Sequence, residues 1–524
     1  MNLHPLDIIV LLLYLSALFC MGYYFSKRNT DTERYFLGGR AFKGWVVGLS
    51  LVGTSISSIT FLAYPGDAFK TAWLRYLPNL MLPLAVLIAA YLFLPFFRRG
   101  QTTTAYQYLE HRFGPSVRTY AAAAFIIAQL VRVSMILYLI SLVLQEITDL
   151  DSTTCILVSG SIVAVYTVMG GIEAVIWTDV IQTVVLLLGG IVCVGIIAAE
   201  LPGGIGQIFT VASQQDKFAF AEMINGTLQP ASWDLSLSTK TATMMLFIGL
   251  TNWLTEYSSN QNTVQRFCAV ESESEARKAM FICAACSLPI WAFFMFLGTA
   301  LYVFFLLFPA THAEEILAGT RKAEEILPFF ITHYMPPGLV GLVIAAALAA
   351  AMSSLDSSIN AIATVSIVDI YRRHLARDRS EQHYLKTAWI IATCSAVIMM
   401  AGATYLIHAE TKTLQHTATI LVSLMGGGLL GIYAIGFLTT QGDARSVWLG
   451  IAGTMLFTSW TVLSSNQLLP PAISVPFDLY YTGLMGNLLM FFLIYAVSLV
   501  LVTSERNLHG LTIRHSSNET VDRF

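Results

Sequence analysis

The sequence predicts an all-α polytopic membrane protein. Of its 524 residues 56% are hydrophobic and only 12% are charged, against about a quarter charged in an ordinary soluble protein. Apolar runs long enough to cross a bilayer recur from one end to the other. In lipid such runs must be helical, so that each backbone polar group finds its partner within its own segment. Polar side chains gather at the middle of a few of these runs, where they are costly unless something uses them. A net charge of −3 gives no reason to expect a nucleic-acid partner.

About thirteen spans are expected, centred on residues 5–26, 44–69, 76–97, 117–146, 153–169, 173–199, 240–267, 277–308, 337–371, 384–407, 413–438, 444–464 and 476–503. The start, MNLHPLD, lacks the positive region of a secretory signal, so the first apolar segment is expected to be retained. An odd number of spans puts the termini on opposite sides. One set of alternate loops carries Lys27, Arg28, Arg34, Arg40 and Lys43, then Arg98, Arg99, Arg112 and Arg118, then Arg266, Arg277 and Lys278. It continues through Arg372, Arg373, Arg377, Arg379, Lys386 and Arg445, and the tail adds Arg506, Arg514 and Arg523. The opposite set holds only Lys70, Arg75, Lys217, Lys240, Arg321, Lys322 and Lys412. The bias toward cytoplasmic Lys and Arg therefore predicts an outside N-terminus and a cytoplasmic C-terminus in the plasma (cell inner) membrane.

The two long loops, 200–239 and 309–336, are expected outside, and the first holds the glycosylation sequon Asn225-Gly226-Thr227. The seven cysteines fall mostly in or beside apolar helices and read as small buried residues. Neither these nor the ten histidines form a metal-ligand spacing, and the tail after residue 503 is too short for a catalytic domain. An enzyme is not expected, and no obligate protein partner is evident.

The most unusual span is Ala345 to Arg373, AAALAAAMSSLDSSINAIATVSIVDIYRR. Ala350, Ser353, Ser354 and Ser357 stand at i, i+3, i+4 and i+7 and share a helix face, flanked by Asp356 and Asn360. Such a stripe of oxygens suits a hard cation. Two other spans look interrupted. Gly53-Thr54-Ser55-Ile56-Ser57-Ser58 breaks the second, and Thr255-Glu256-Tyr257-Ser258-Ser259-Asn260-Gln261-Asn262 breaks the seventh. Ser and Thr can bond back to their own helix. Yet polar breaks five spans apart point to an inverted-repeat transporter, in which unwound backbone binds ion and substrate.

Arg132 is expected to be the one basic residue well inside a span, and it holds an anionic group of a substrate or pairs with Glu256 or Asp179. Asp179 can ligate a cation, move a proton or act as an interfacial acid; Asp356 is a second cation ligand or a hydrogen-bond strut. Glu173 is expected at the membrane edge.

With these residues in view, the chain resembles the sodium/solute symporter family, which includes sodium/glucose cotransporters and bacterial sialic acid symporters. GGIEAVIWTDVIQ, VGTSISSITF, NQNTVQRF and AAAMSSLDSSINAIATVSIVDIY carry the resemblance, which runs from about residue 5 to 505. It implies a leucine-transporter-like fold of five plus five helices in inverted repeat within a single transmembrane domain. Residues 1–43 would form an extra helix and cytoplasmic loop, 44–200 the first repeat, 240–438 the second, and 439–524 the last helices and tail.

The resemblance also implies Na+ as coupling ion. Its main site would use the Gly53, Ile56 and Ala350 carbonyls and the Ser353 and Ser354 hydroxyls. A second sodium would sit near Asp179, Ser353, Asp356 and Ser357, although Asp356 replaces a serine of the sialic acid symporters. QLVRVSMILYL looks closest to those symporters, whose matching arginine binds the sugar carboxylate. Ser55, Ser57, Thr60 and Asn79 would be further substrate contacts, with Glu256 and Asn260 beside them. Asn79, where those symporters have glutamine, departs from them, as do Arg75 and Glu256. The expectation is a sodium-coupled symporter for a small carboxylate-bearing solute such as sialic acid. A glucose- or galactose-type sugar symporter and a monocarboxylate or amino-acid symporter stand as alternatives. A channel would need a continuous polar pore, and a sensor would need a signalling domain.

Overall fold

The computed structural model describes residues 4–100, 102–148, 150–224, 227–408, 427–501 and 508–513. The sequon residues Asn225 and Gly226, the first part of the eleventh predicted span, Lys412, Arg506, Arg514 and Arg523 lie outside the described residues. Within them, nine helices are long and apolar enough to cross a membrane, and one further pair is bent by 56° at a short break.

That pair is the first broken helix, Gly44–Ser55 and Ser58–Lys70. Ile56 is extended at the break, and the Ser57 side chain caps the second half by accepting from the Ile59 N–H at 3.3 Å. The second broken helix is Ala242–Ser259 followed by Gln261–Ala269, with Asn260 extended between them and capping the second half through Asn262 N–H at 3.0 Å. Both interruptions therefore fall where the sequence placed them.

The fifth and sixth predicted spans form one helical run, Ser152–Glu200, divided at Gly171. Gly171 has φ +60° and ψ −157°, and a Cβ there would lie 2.8 Å from the Tyr35 carbonyl oxygen, so the turn requires glycine. The remaining long helices are Pro5–Ser26, Trp73–Arg99, Pro115–Thr148, Glu273–Leu307, Leu339–Leu375, Glu381–His408, Ala444–Ser465 and Thr482–Val500. A short hairpin pairs Ala221–Ile224 with Thr227–Pro230.

Leu339–Leu375, the serine-rich helix, lies at the centre. Every residue from Val343 to Val365 is buried, and a helix buried all round belongs to the middle of a bundle. Its start is capped from far away in sequence. Asp7 of the first helix is 2% exposed, and its Oδ1 accepts the Gly338 and Gly341 N–H groups at 2.7 and 2.6 Å.

Several charges that the sequence assigned to loops are interior. Arg112 is 1% exposed and donates to the Thr439, Gln441 and Gly442 carbonyls. Arg118 reaches Asp369 of the serine-rich helix at 2.6 Å and Glu110 at 2.5 Å, while Arg373 also holds Glu110 at 2.6 Å. Burial pushes the Glu110 carboxyl up, but the hydrogen bonds from Arg373 and Arg118 outweigh it and hold the group below its ordinary value. Glu173, expected at the membrane edge, is 7% exposed and sits just past the Gly171 turn. Hydropathy counts Arg112 and Arg118 as polar edge, because it cannot see a partner in another segment.

Lys217 is a further case. Its Nζ donates to the Phe69 and Thr71 carbonyls at 2.7 and 2.5 Å and lies 4.0 Å from the centre of the Tyr302 ring. It therefore fastens its loop to the end of the first broken helix. Burial pushes its amine down to about 7. In an unfolded chain the lysine stays charged to about 10.4, so between those values the unfolded chain holds the extra proton and stability rises with pH. Below about 7 both states hold it and the cost of burying the charge is fully present. The melting temperature of the purified protein is expected to climb between pH 7 and 9, with Lys217→Met flattening that climb. An unchanged slope in the variant would remove Lys217 as its source.

Candidate sodium and solute sites

The first site forms where the broken helix meets the serine-rich helix. A helix that stops at Ser55 leaves carbonyls of its last turn without i+4 partners. The Ser353 hydroxyl reaches the Gly53 carbonyl at 2.9 Å and lies 3.5 Å from the Ala350 carbonyl. Gly53 permits this approach, since a Cβ there would meet Thr183 Oγ1 at 2.8 Å. Ser354 Oγ is buried and has no hydrogen-bond partner among the described residues. An orphaned hydroxyl beside converging carbonyls is what a monovalent cation would satisfy. Gly53, Ala350 and Ser353 are in direct contact, Ser354 adjoins them, and Ile56 stands at the end of the same broken turn.

Around the second predicted sodium the structure adds a residue that the sequence reading missed. Arg266, counted there as a loop cation, is 1% exposed and pairs with Asp179 at 2.8 Å. A basic residue other than Arg132 is therefore buried inside the helical bundle. Arg266 also donates to Ser50 Oγ at 2.8 Å, the Asn262 carbonyl at 2.6 Å and Ser357 Oγ at 2.7 Å. Ser50 in turn donates to Asp179 at 2.5 Å. One guanidinium thus joins both broken helices, the Asp179 helix and the serine-rich helix. The available signal was the spacing Asn262–Arg266, one turn along the helix that restarts after the second break.

Asp179 Oδ1 is buried and unpartnered among the described residues. Asp356 accepts from Tyr166 OH at 2.7 Å, Thr178 Oγ1 at 3.4 Å, and the Ser357 N–H at 2.5 Å. The bonds from Tyr166 and Thr178 tie the serine-rich helix to the Ser152–Glu200 helix.

Arg132 lies midway along Pro115–Thr148 and is exposed, although Gln129 and Ile136, one turn away on the same face, are buried. Among the described residues it has no ion pair or hydrogen bond. Both acids proposed as its partners are otherwise engaged. Asp179 has Arg266, and Glu256 accepts from Asn260 at 2.7 Å and Thr263 at 2.5 Å. Gln129 accepts from Ser358 at 3.1 Å, which fixes the arginine helix against the serine-rich helix. Ser55 contacts Cys283 Sγ at 3.9 Å, Thr60 is buried one turn beyond Ser57, and Asn79 donates to Tyr64 OH at 2.7 Å.

Residues 35–458 match the family model described as the Sodium:solute symporter family. The chain belongs to that family. Among relatives of this symporter, the sodium/sialic acid symporter SiaT of Proteus mirabilis is 32% identical over 93% of this chain and 94% of its own. The sodium/sialic acid symporter NanT of Aliivibrio fischeri is 31% identical over 93% and 91%. Human sodium-coupled monocarboxylate transporter 1 is 28% identical over 88% and 73%. A solved Na+-coupled sialic acid symporter, substrate-bound and outward-open, superposes with a TM-score of 0.85 at 29% identity, covering 96% of this symporter and 99% of that chain. This symporter is thus a multi-pass helical membrane transporter whose coupling ion is Na+.

Proposed function

We propose that this symporter couples inward sodium flow to uptake of a carboxylate-bearing solute, with sialic acid as the solute. Arg132 carries the substrate reading: an exposed guanidinium without a protein anion, half-way along a spanning helix. Ser55, Ser57, Thr60, Asn79, Glu256 and Asn260 would complete the pocket beside it. The two sialic acid symporters at 31% and 32% identity support that choice. Short monocarboxylates form a second reading, favoured by the transporter relative of that class.

Gly53, Ile56, Ala350, Ser353 and Ser354 would hold the first sodium, and a second would sit among Asp179, Ser353, Asp356 and Ser357. Sodium bound between the first broken helix and the serine-rich helix favours the state that receives solute, which is the linkage that coupling needs. One charge crossing 100 mV supplies about 2.3 kcal/mol, enough to concentrate a neutral solute about 50-fold. The wider frame in this reading is thirteen spans, two inverted five-helix repeats at 44–200 and 240–438, the N-terminus outside, and residence in the cell inner membrane.

The test is uptake into proteoliposomes under an imposed sodium gradient, with sialic acid, lactate, glucose and galactose compared. Ser354→Ala is expected to raise the sodium concentration for half-maximal uptake by about fivefold or more, the loss of one ligating hydroxyl. Unchanged sodium dependence in a folded variant would remove Ser354 from the site.

A further inference from the structure

The second half of the first broken helix carries Ser57, Thr60, Tyr64 and Asp67 at i, i+3, i+7 and i+10, so these residues form one stripe. Two cross-links join the stripe to the Trp73–Arg99 helix. Nearer the break, Asn79 donates to Tyr64 OH at 2.7 Å, and both side chains are buried. Nearer Lys70, Arg75 pairs with Asp67 while its guanidinium lies 5.5 Å from the centre of the Tyr64 ring. This second cross-link is open to solvent, its side chains being 39% and 35% exposed. Tyr64 therefore touches both rungs: the buried amide among the proposed solute contacts, and a half-exposed arginine beyond it.

As a strut, the outer rung contributes little. Exposed ion pairs are worth about 0–1 kcal/mol, and the same two segments are already joined by Asn79 and Tyr64. Its chemistry suits recognition better. A guanidinium fork accepts one carboxylate in place of another, and partial hydration makes that exchange easy.

We propose that Arg75 is an outer docking point for the solute carboxylate, which displaces Asp67 there before the solute moves inward to Arg132. This rests on the reading that the solute is an organic acid. It makes Asp67 an internal competitor for the same guanidinium, so the two partners of one ion pair have opposite effects.

The experiment measures initial rates of sialic acid uptake by the full chain in proteoliposomes at saturating sodium. Arg75→Gln is expected to raise KM about fivefold or more, with the maximal rate and sodium half-saturation retained. Asp67→Asn, which keeps the shape but removes the competing charge, is expected to lower KM. Arg75→Lys should recover part of the loss. Changes of the same sign in Arg75→Gln and Asp67→Asn, or no change in KM, would overturn the proposal and leave the pair a strut. If the unaltered protein carries neither sialic acid nor lactate, the substrate reading falls, and this proposal with it.

Discussion

Arg132→Ala is expected to lower the efficiency of acidic-solute uptake by about 30-fold or more, the cost of losing a desolvated charge partner. A neutral hexose, if carried at all, should lose little. Holding an arginine at mid-bilayer costs about 2.5–3.5 kcal/mol on insertion scales. Its neighbours Gln129 and Ile136 are buried while Arg132 is exposed. Glu256 and Asp179, the acids that would have made it structural, are engaged elsewhere. Parallel uptake assays with sialic acid and galactose decide the matter, and equal loss for both would mark Arg132 as a scaffold residue.

Arg266→Leu carries the largest expected effect on stability. Asp179 is 0% exposed, and without Arg266 it becomes an uncompensated buried charge. Removing one partner of such a pair destabilises by about 3–5 kcal/mol. The variant also removes the bonds from the guanidinium to Ser50, Ser357 and the Asn262 carbonyl. Thermal unfolding of the purified protein should show a large fall. Adding Asp179→Asn to Arg266→Leu should recover part of it, because the leftover charge is then gone. A double variant no more stable than the single one would show that the two side chains are not energetically coupled.

The parts of this molecule that were legible in sequence are those where one segment carries its own signal. Ile56 and Asn260 sit at helix breaks because Ser, Thr and Asn runs interrupt apolar periodicity, and the serine-rich helix announces its core position by small residues all round. The contact of Ser353 with Gly53 followed from the family resemblance rather than from either segment alone. What stayed hidden were charges whose meaning lies in a distant partner. Arg266, Arg118 and Arg112 look like loop cations, since each lies at the end of an apolar run, and only the fold brings Asp179, Asp369 and the 439–442 turn to them.

The cap on the serine-rich helix has a consequence for biogenesis. Asp7 and Gly341 are 334 residues apart. At about 5–20 residues per second, roughly 15–70 s pass between the synthesis of the two. Through that interval the first span enters the bilayer with its carboxylate facing lipid or water, and the helix it will cap does not yet exist. The first span is therefore held in place early by its apolar length alone, and its polar anchor closes only when the ninth predicted span arrives. A chain that stalls between them carries an unspent carboxylate at its beginning, which is the kind of exposed group by which membrane quality control could recognise incomplete assembly.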